Sequence, residues 1–140
     1  MGYQTDWVDA FASEPFAGNG CAVVHDAGGL STEICIKFVR ETSLSECTFV
    51  EASTKADVKV RYFLASGEIP FAGHPTVATV ISLLHRGKIT GDHLTLETGT
   101  GIIPIRIEHD QGRPRVFMTQ IAPEFGSVLD KKNNSRLRQY

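Results

Sequence analysis

The chain reads as an α+β domain built around one buried central helix, and three observations predict it. Ile69 to Gly87 supplies the helix: a turn-rich entry at Ser66 to Pro70 precedes Phe71-Ala72-Gly73-His74-Pro75, and helix-compatible residues then run to Gly87. Between those limits Val77, Ala78, Val80, Ile81, Leu83 and Leu84 cover most of the circumference, with only Thr76, Thr79 and Ser82 mildly polar. A helix apolar all round is a buried helix, and this one is far too short to cross a bilayer. Second, the flanking sequence is mostly short β-branched or alternating runs separated by glycine and polar turns. Third, 140 residues at 41% hydrophobic content suit one domain with a real core.

Within the helix, Pro75 fits the first turn, where a missing N–H costs nothing. His74 then neighbours the N-cap, and Gly87 suits the C-terminal stop. The N-terminal end carries no side-chain bulk at Gly73, so its backbone N–H groups favour an anion.

In chain order, Tyr3 to Phe11 predicts a first strand through Trp7, Val8, Ala10 and Phe11. Ser13 to Gly20 predicts a tight loop in which Gly18, Asn19 and Gly20 take the left-handed positions. Cys21 to Val24 is a short buried strand. Ser31 is an N-cap with Glu33 in the first turn, and Ile34, Phe38 and Val39 stripe a helix that ends near Thr42 and packs on a sheet. A polar loop through Glu46 leads to a strand starting at Thr48. From Asp57 to Leu64, Val58, Val60, Tyr62 and Leu64 alternate with Lys59 and Arg61, as in a half-buried antiparallel strand. His93–Thr98, Ile102–His109 and Arg115–Ile121 are three more strands, with turns at Gly99 and Gly101 and at Asp110–Gly112, and the last two form a hairpin. Residues 1–122 are thus one domain, and the polar, mostly basic segment 123–140 is a linker or tail.

A net charge of −2 with interspersed signs predicts no nucleic-acid or membrane partner. The cysteines at 21, 35 and 47 are odd in number and lack a CxxC spacing, which predicts reduced thiols in a cytoplasmic protein and no zinc or other metal site. Met1 to Asp9 has no basic-then-apolar pattern, so no secretory signal is expected.

Four groups of short motifs stand in a telling order: Asp9-Ala10-Phe11 with Pro15-Phe16 and Gly18-Asn19, then Leu44-Ser45-Glu46 before a Thr-Phe-Val strand, then Pro70-Phe71-Ala72-Gly73-His74-Pro75, and last Thr98-Gly99 ahead of Ile103-Pro104. In this order and spacing the chain resembles the N-terminal half of the PhzF (phenazine biosynthesis-like) family, of the diaminopimelate-epimerase fold group. The resemblance implies a mostly antiparallel curved sheet wrapped around one long helix, as one of two pseudo-symmetric domains with the active site between them. It implies isomerase or epimerase chemistry that moves a proton with no metal or organic cofactor. Glu46 falls on the glutamate that moves the proton and His74 on a histidine lining the same cleft. Ala72 stands where the related epimerases carry a catalytic cysteine.

Family members are about twice as long, as two domains require, so the facing wall and an acidic partner lie in a second half. Gly20-Cys21 also replaces the usual Pro-Ala, which bears on loop shape. By residue type alone Glu46 is a solvated loop carboxylate, His74 a helix cap or core histidine, and Asn19-Gly20 a structural turn. With the motifs, Glu46 and His74 are the catalytic candidates, and Asn19, Gly20, Ala72, Gly73 and Pro75 the candidates for binding a small carboxylate substrate. Two functions fit: an isomerase whose cleft is completed by homo-oligomerisation or a separate second half, or a truncated, catalytically silent domain serving as a binding module. His25, His85, His93 and His109 are scattered singly and predict no role.

Overall fold

The computed structural model describes residues 2–126; most of the predicted basic tail lies outside them. Eight strands form one sheet: β1 (Thr5–Ala10), β2 (Asn19–Val24), β3 (Cys47–Glu51), β4 (Val58–Leu64), β5 (Gly67–Ile69), β6 (His93–Thr98), β7 (Gly101–Asp110) and β8 (Arg113–Met118). Helix α1 (Thr32–Thr42) and helix α2 (Gly73–His85) cover its two faces. The strand order is β1-β2-β3-β4-β6-β7-β8, with β5 paired to β4. Five pairings are antiparallel, and two, β2 with β3 and β4 with β6, are parallel. Both parallel steps are bridged by a helix, since a parallel connection needs a long crossover. The predicted α+β class, a mostly antiparallel curved sheet around a central helix, is the observed one.

The main core lies between the sheet and α2, where Val23, Val60, Tyr62, Ala78, Val80, Leu83, Leu96 and Ile105 are buried. A second core lies on the opposite face under α1, where Cys35 and Val39 meet Ala22, Cys47, Phe49 and Phe63. Phe38, Phe49 and Phe63 stack edge to face across it. Two expectations are corrected here. Ile34 is 48% exposed, so Cys35 and Val39, not Ile34, form the inner stripe of α1. Strand β4 is also covered on both faces: Phe63 is buried under α1, on the side where an exposed edge was expected. Arg61 survives beside it because Glu68 holds its guanidinium by two hydrogen bonds.

Ser31 caps α1 through a bond from the Ile34 amide, as predicted. The Ser13–Gly20 loop differs from expectation. Its one left-handed residue is Phe16 (φ 66°), with Phe11 (φ 60°) just ahead of the loop, and Asn19 and Gly20 belong to β2. Gly18 is required for another reason: a Cβ there would collide with the Ala10 carbonyl and the Ala12 side chain. The short strand β5 occupies part of what the sequence suggests is only a turn. In the β7–β8 hairpin, Gln111 and Gly112 both have positive φ, the pattern of a tight I′-type turn. Strand β8 ends at Met118 rather than Ile121.

Helix α2 begins one residue before His74. Its C-terminus closes with Gly87 at φ 63°, the Gly87 amide on the Leu84 carbonyl and the Lys88 amide on the Leu83 carbonyl; this is the Schellman arrangement. The helix is central, yet it is not buried all round, contrary to what its apolar circumference predicted. Thr76, Thr79 and Ser82 are fully buried, while Val77, Ile81 and Leu84 are only half-buried. Among the described residues, no helix is long and apolar enough to cross a membrane.

Candidate active site

Two local signals place Glu46. Ser43, in the left-handed conformation at φ 57°, ends α1, and Thr42 steadies the turn by donating to the Val39 carbonyl and accepting from the Leu44 amide. The chain then enters β3 at Cys47, beside Ala22 of β2, so Glu46 sits at the lip of the sheet. His74 is the second residue of α2. Its Nδ1 lies 3.2 Å from Glu46 Oε2, and the two side chains retain 14% and 21% of their exposure. They are shielded from bulk water but within reach of a small molecule.

The end of α2 at this point is open. Ala72 is the N-cap, in extended conformation, and no side chain caps the turn. The amides of Gly73 and His74 lie in the first turn and so have no helical partners, and Pro75 has no N–H to compete for a ligand. A Cβ at Gly73 would meet nothing within 4 Å. Among the described residues, His74 Nε2 is the one buried side-chain nitrogen or oxygen without a hydrogen-bond partner. Such an orphan costs about 1–3 kcal/mol, so the fold tolerates a deficit at this atom that a bound group would relieve.

The other candidates fall at different distances from this pair. Ala72, Gly73 and Pro75 share its turn. Gly20 adjoins the Glu46 loop, since a Cβ there would approach Leu44 Cδ2 at 3.3 Å. Asn19 is exposed at the start of β2, opposite Ala10, and its side chain makes no hydrogen bond among the described residues. A concavity of about 520 Å³ lies elsewhere, along Asp6, Trp7 and Asp9 of β1 and Ile81 and His85 of α2. Its volume does not outweigh the orphaned imidazole as a pointer to chemistry, because its polar members Asp6 and Ser82 already bond one another. The described residues contain no cluster of three or more ligating side chains that could hold a metal.

Sequence reasoning missed His25. It is 2% exposed, with Nε2 2.8 Å from Ser82 Oγ and 3.2 Å from Asp6 Oδ2. Arg86 donates to both Asp6 oxygens, at 2.6 and 2.5 Å, and to Gln4 Oε1. Burial pulls the His25 pKa below its ordinary 6.5, against the opposing pull of Asp6. The Arg86 guanidinium holds the Asp6 carboxyl far below the usual range. The one clue in the sequence was the threonine and serine spacing of α2, which aims Ser82 at the same face as Thr76 and Thr79.

A curled sheet cupping one helix, with a carboxylate and an imidazole meeting at the helix N-terminus, is an epimerase-like half-barrel. It matches a solved structure described as a predicted epimerase of Pseudomonas aeruginosa, with a TM-score of 0.80, 28% identity and coverage of 92% of this chain and 46% of the other. The family model for phenazine biosynthesis-like proteins, PhzC-PhzF, matches residues 8–139, and the chain belongs to that family. The PhzF-family structure from Bacillus anthracis aligns over 96% of this chain and 46% of its own, with a TM-score of 0.83 and 34% identity. A relative from Pseudomonas aeruginosa, named trans-2,3-dihydro-3-hydroxyanthranilate isomerase, is 42% identical over 107 residues, 76% of this chain and 38% of the relative. The chain spans less than half the length of each of these proteins.

Proposed function

We propose that this chain carries one half of an isomerase-type active site that moves a proton on a small, carboxylate-bearing substrate. The observation that carries the reading is the Glu46–His74 contact at 3.2 Å beside an uncapped helix start, with His74 Nε2 buried and unpaired. The Gly73 and His74 amides hold the substrate carboxylate, because a helix N-terminus favours an anion. Glu46 takes a proton from a neighbouring carbon and returns it elsewhere on the same skeleton. His74 orients Glu46 through Nδ1 and meets a polar substrate group through Nε2. Anion holder and base are separate groups, so the carboxylate that binds is not the one that reacts. The proton transfer needs neither a metal nor an organic cofactor.

The facing wall of the cleft comes from a second domain or subunit, and the relatives, of which this chain spans less than half, support that requirement. The buried, unpaired thiols of Cys21, Cys35 and Cys47 suit a reducing, cytoplasmic setting. The experiment is solvent-deuterium incorporation into dihydro-hydroxyanthranilate and related enol-forming acids, run beside sedimentation of the same sample. Glu46→Gln should lower the exchange rate about 10²- to 10⁴-fold, and unchanged exchange would refute the assignment. The alternative reading is a catalytically silent binding module. That reading gains if the wild-type chain is a monomer that binds such acids at Gly73 without exchanging their protons.

A further inference from the structure

The rotation of α2 is not what hydrophobic burial alone selects. Two stripes compete for the sheet: the apolar Val77, Ile81 and Leu84, and the hydroxylated Thr76, Thr79 and Ser82. The hydroxylated stripe is buried among Ala78, Val80 and Leu83, and the apolar Val77, Ile81 and Leu84 are half out. Each hydroxyl meets a partner on the sheet. Tyr62 OH of β4 lies 2.7 Å from Thr76 Oγ1, which itself donates to the Ala72 carbonyl at 2.7 Å, so the tyrosine is the donor between them. Thr79 Oγ1 is 3.0 Å from Thr48 Oγ1 of β3. Ser82 Oγ donates to Asp6 of β1 and sits 2.8 Å from His25, just past β2.

The spacing explains the match. A step of three residues climbs about 4.5 Å along a helix and rotates back by about 60°. Successive hydroxyls therefore walk sideways, and they do so in the order of the strands, from β4 to β3 to the β2–β1 edge. A one-residue slip would turn the helix by about 100° and take the helix partners of Tyr62, Thr48, Asp6 and His25 away together. The same slip would carry His74 off Glu46, and the Ala72 carbonyl held by Thr76 is the N-cap group one residue before Gly73.

We propose that the hydroxyl ladder Thr76, Thr79 and Ser82, with Tyr62, Thr48, Asp6 and His25 as its partners, locks the rotation of α2 and so positions the His74 imidazole against Glu46. Its bearing on catalysis rests on the proposed proton transfer; the geometry itself does not. The Tyr62→Phe/Thr76→Val/Thr48→Val/Thr79→Val variant removes both ends of two rungs at nearly constant shape, which leaves no orphaned group. With the ladder loosened, the urea midpoint should hold while the nuclear Overhauser contacts between the His74 ring and the Glu46 γ-methylene, strong in the wild type, fall below detection. Tyr62→Phe/Thr76→Ser, which keeps the hydroxyl on Ala72, should restore them in part. A folded variant with those contacts undiminished would overturn the proposal. If the fourfold variant does not fold, the Tyr62→Phe/Thr76→Val pair decides by the same measure. Failure of deuterium exchange in the wild type would remove the functional reading alone, since the contacts report geometry without turnover.

Discussion

The two ends of α2 hold the same kinds of group and treat them in opposite ways. At the C-terminal end an imidazole, a carboxylate, a hydroxyl and a guanidinium close on one another through Asp6, His25, Ser82 and Arg86. The backbone there is finished by Gly87 and Lys88. At the N-terminal end an imidazole and a carboxylate meet, yet Nε2 of His74 has no partner and the first turn has no cap. Buried polar groups that satisfy one another build structure, and those left unsatisfied are where a ligand has something to gain. On the proposed reading, the difference separates a structural end of the helix from a reactive one.

The comparison breaks most readily at Asp6. Asp6→Ala removes the acceptor for Ser82, His25 and Arg86 at once and leaves a buried donor set unpaired. Its cost should be about 3 kcal/mol, read from the urea midpoint. A loss below about 0.5 kcal/mol, as at an ordinary surface site, would show that the C-terminal network is not structural.

Acid should expose the same end in two stages. His25 has a depressed pKa in the folded chain, so the unfolded chain binds its proton first. Its contribution is present above the ordinary value near 6.5 and is lost as pH falls from there through the folded value. Asp6 is depressed from 3.8, so its contribution persists through that first stage and fades only below the ordinary carboxylate range. Unfolding free energy should therefore already slope downward between about pH 6.5 and 5, and His25→Gln should flatten that slope. An identical slope in the variant would place the proton elsewhere.

This division was only partly legible in the sequence. The helix, its Pro75 start, its Gly87 stop and the flanking strands follow from local signals that tertiary packing did not override. The motif order brought Glu46 and His74 to notice although 28 positions separate them in the chain. What could not be read was which face of α2 turns inward. An all-apolar helix has a weak directional preference, and the deciding groups, Tyr62, Thr48, Asp6 and His25, sit on four different segments. His25 looked incidental for the same reason: its partners are 19 and 57 positions away. Strand β4 misled because Lys59 and Arg61 mimic a solvent face, whereas Glu51 and Glu68 neutralise them there.

At the open end, replacing the orphan by an apolar side chain should help the fold. His74→Leu removes Nε2 and its desolvation deficit, so the chain should gain about 1 kcal/mol in urea while losing any proton exchange. A net loss of stability would mean that the Glu46 contact is worth more than the orphan costs, and the two ends would then be alike.

The smallest expected effect on stability is the most informative about the site. Glu46 keeps 21% of its exposure and touches His74 alone among the described charged groups, so neutralising it removes one contact. Glu46→Gln keeps the shape and removes only the charge and the basicity. Its unfolding free energy should stay within about 0.5 kcal/mol of the wild type, in contrast to the loss expected for Asp6→Ala. A carboxylate that can be neutralised without cost to the fold is held at its position for some other reason, and the unpaired His74 Nε2 beside it indicates which. If Glu46→Gln instead unfolds as readily as Asp6→Ala, the N-terminal pair is a second structural clasp and the catalytic assignment loses its physical basis.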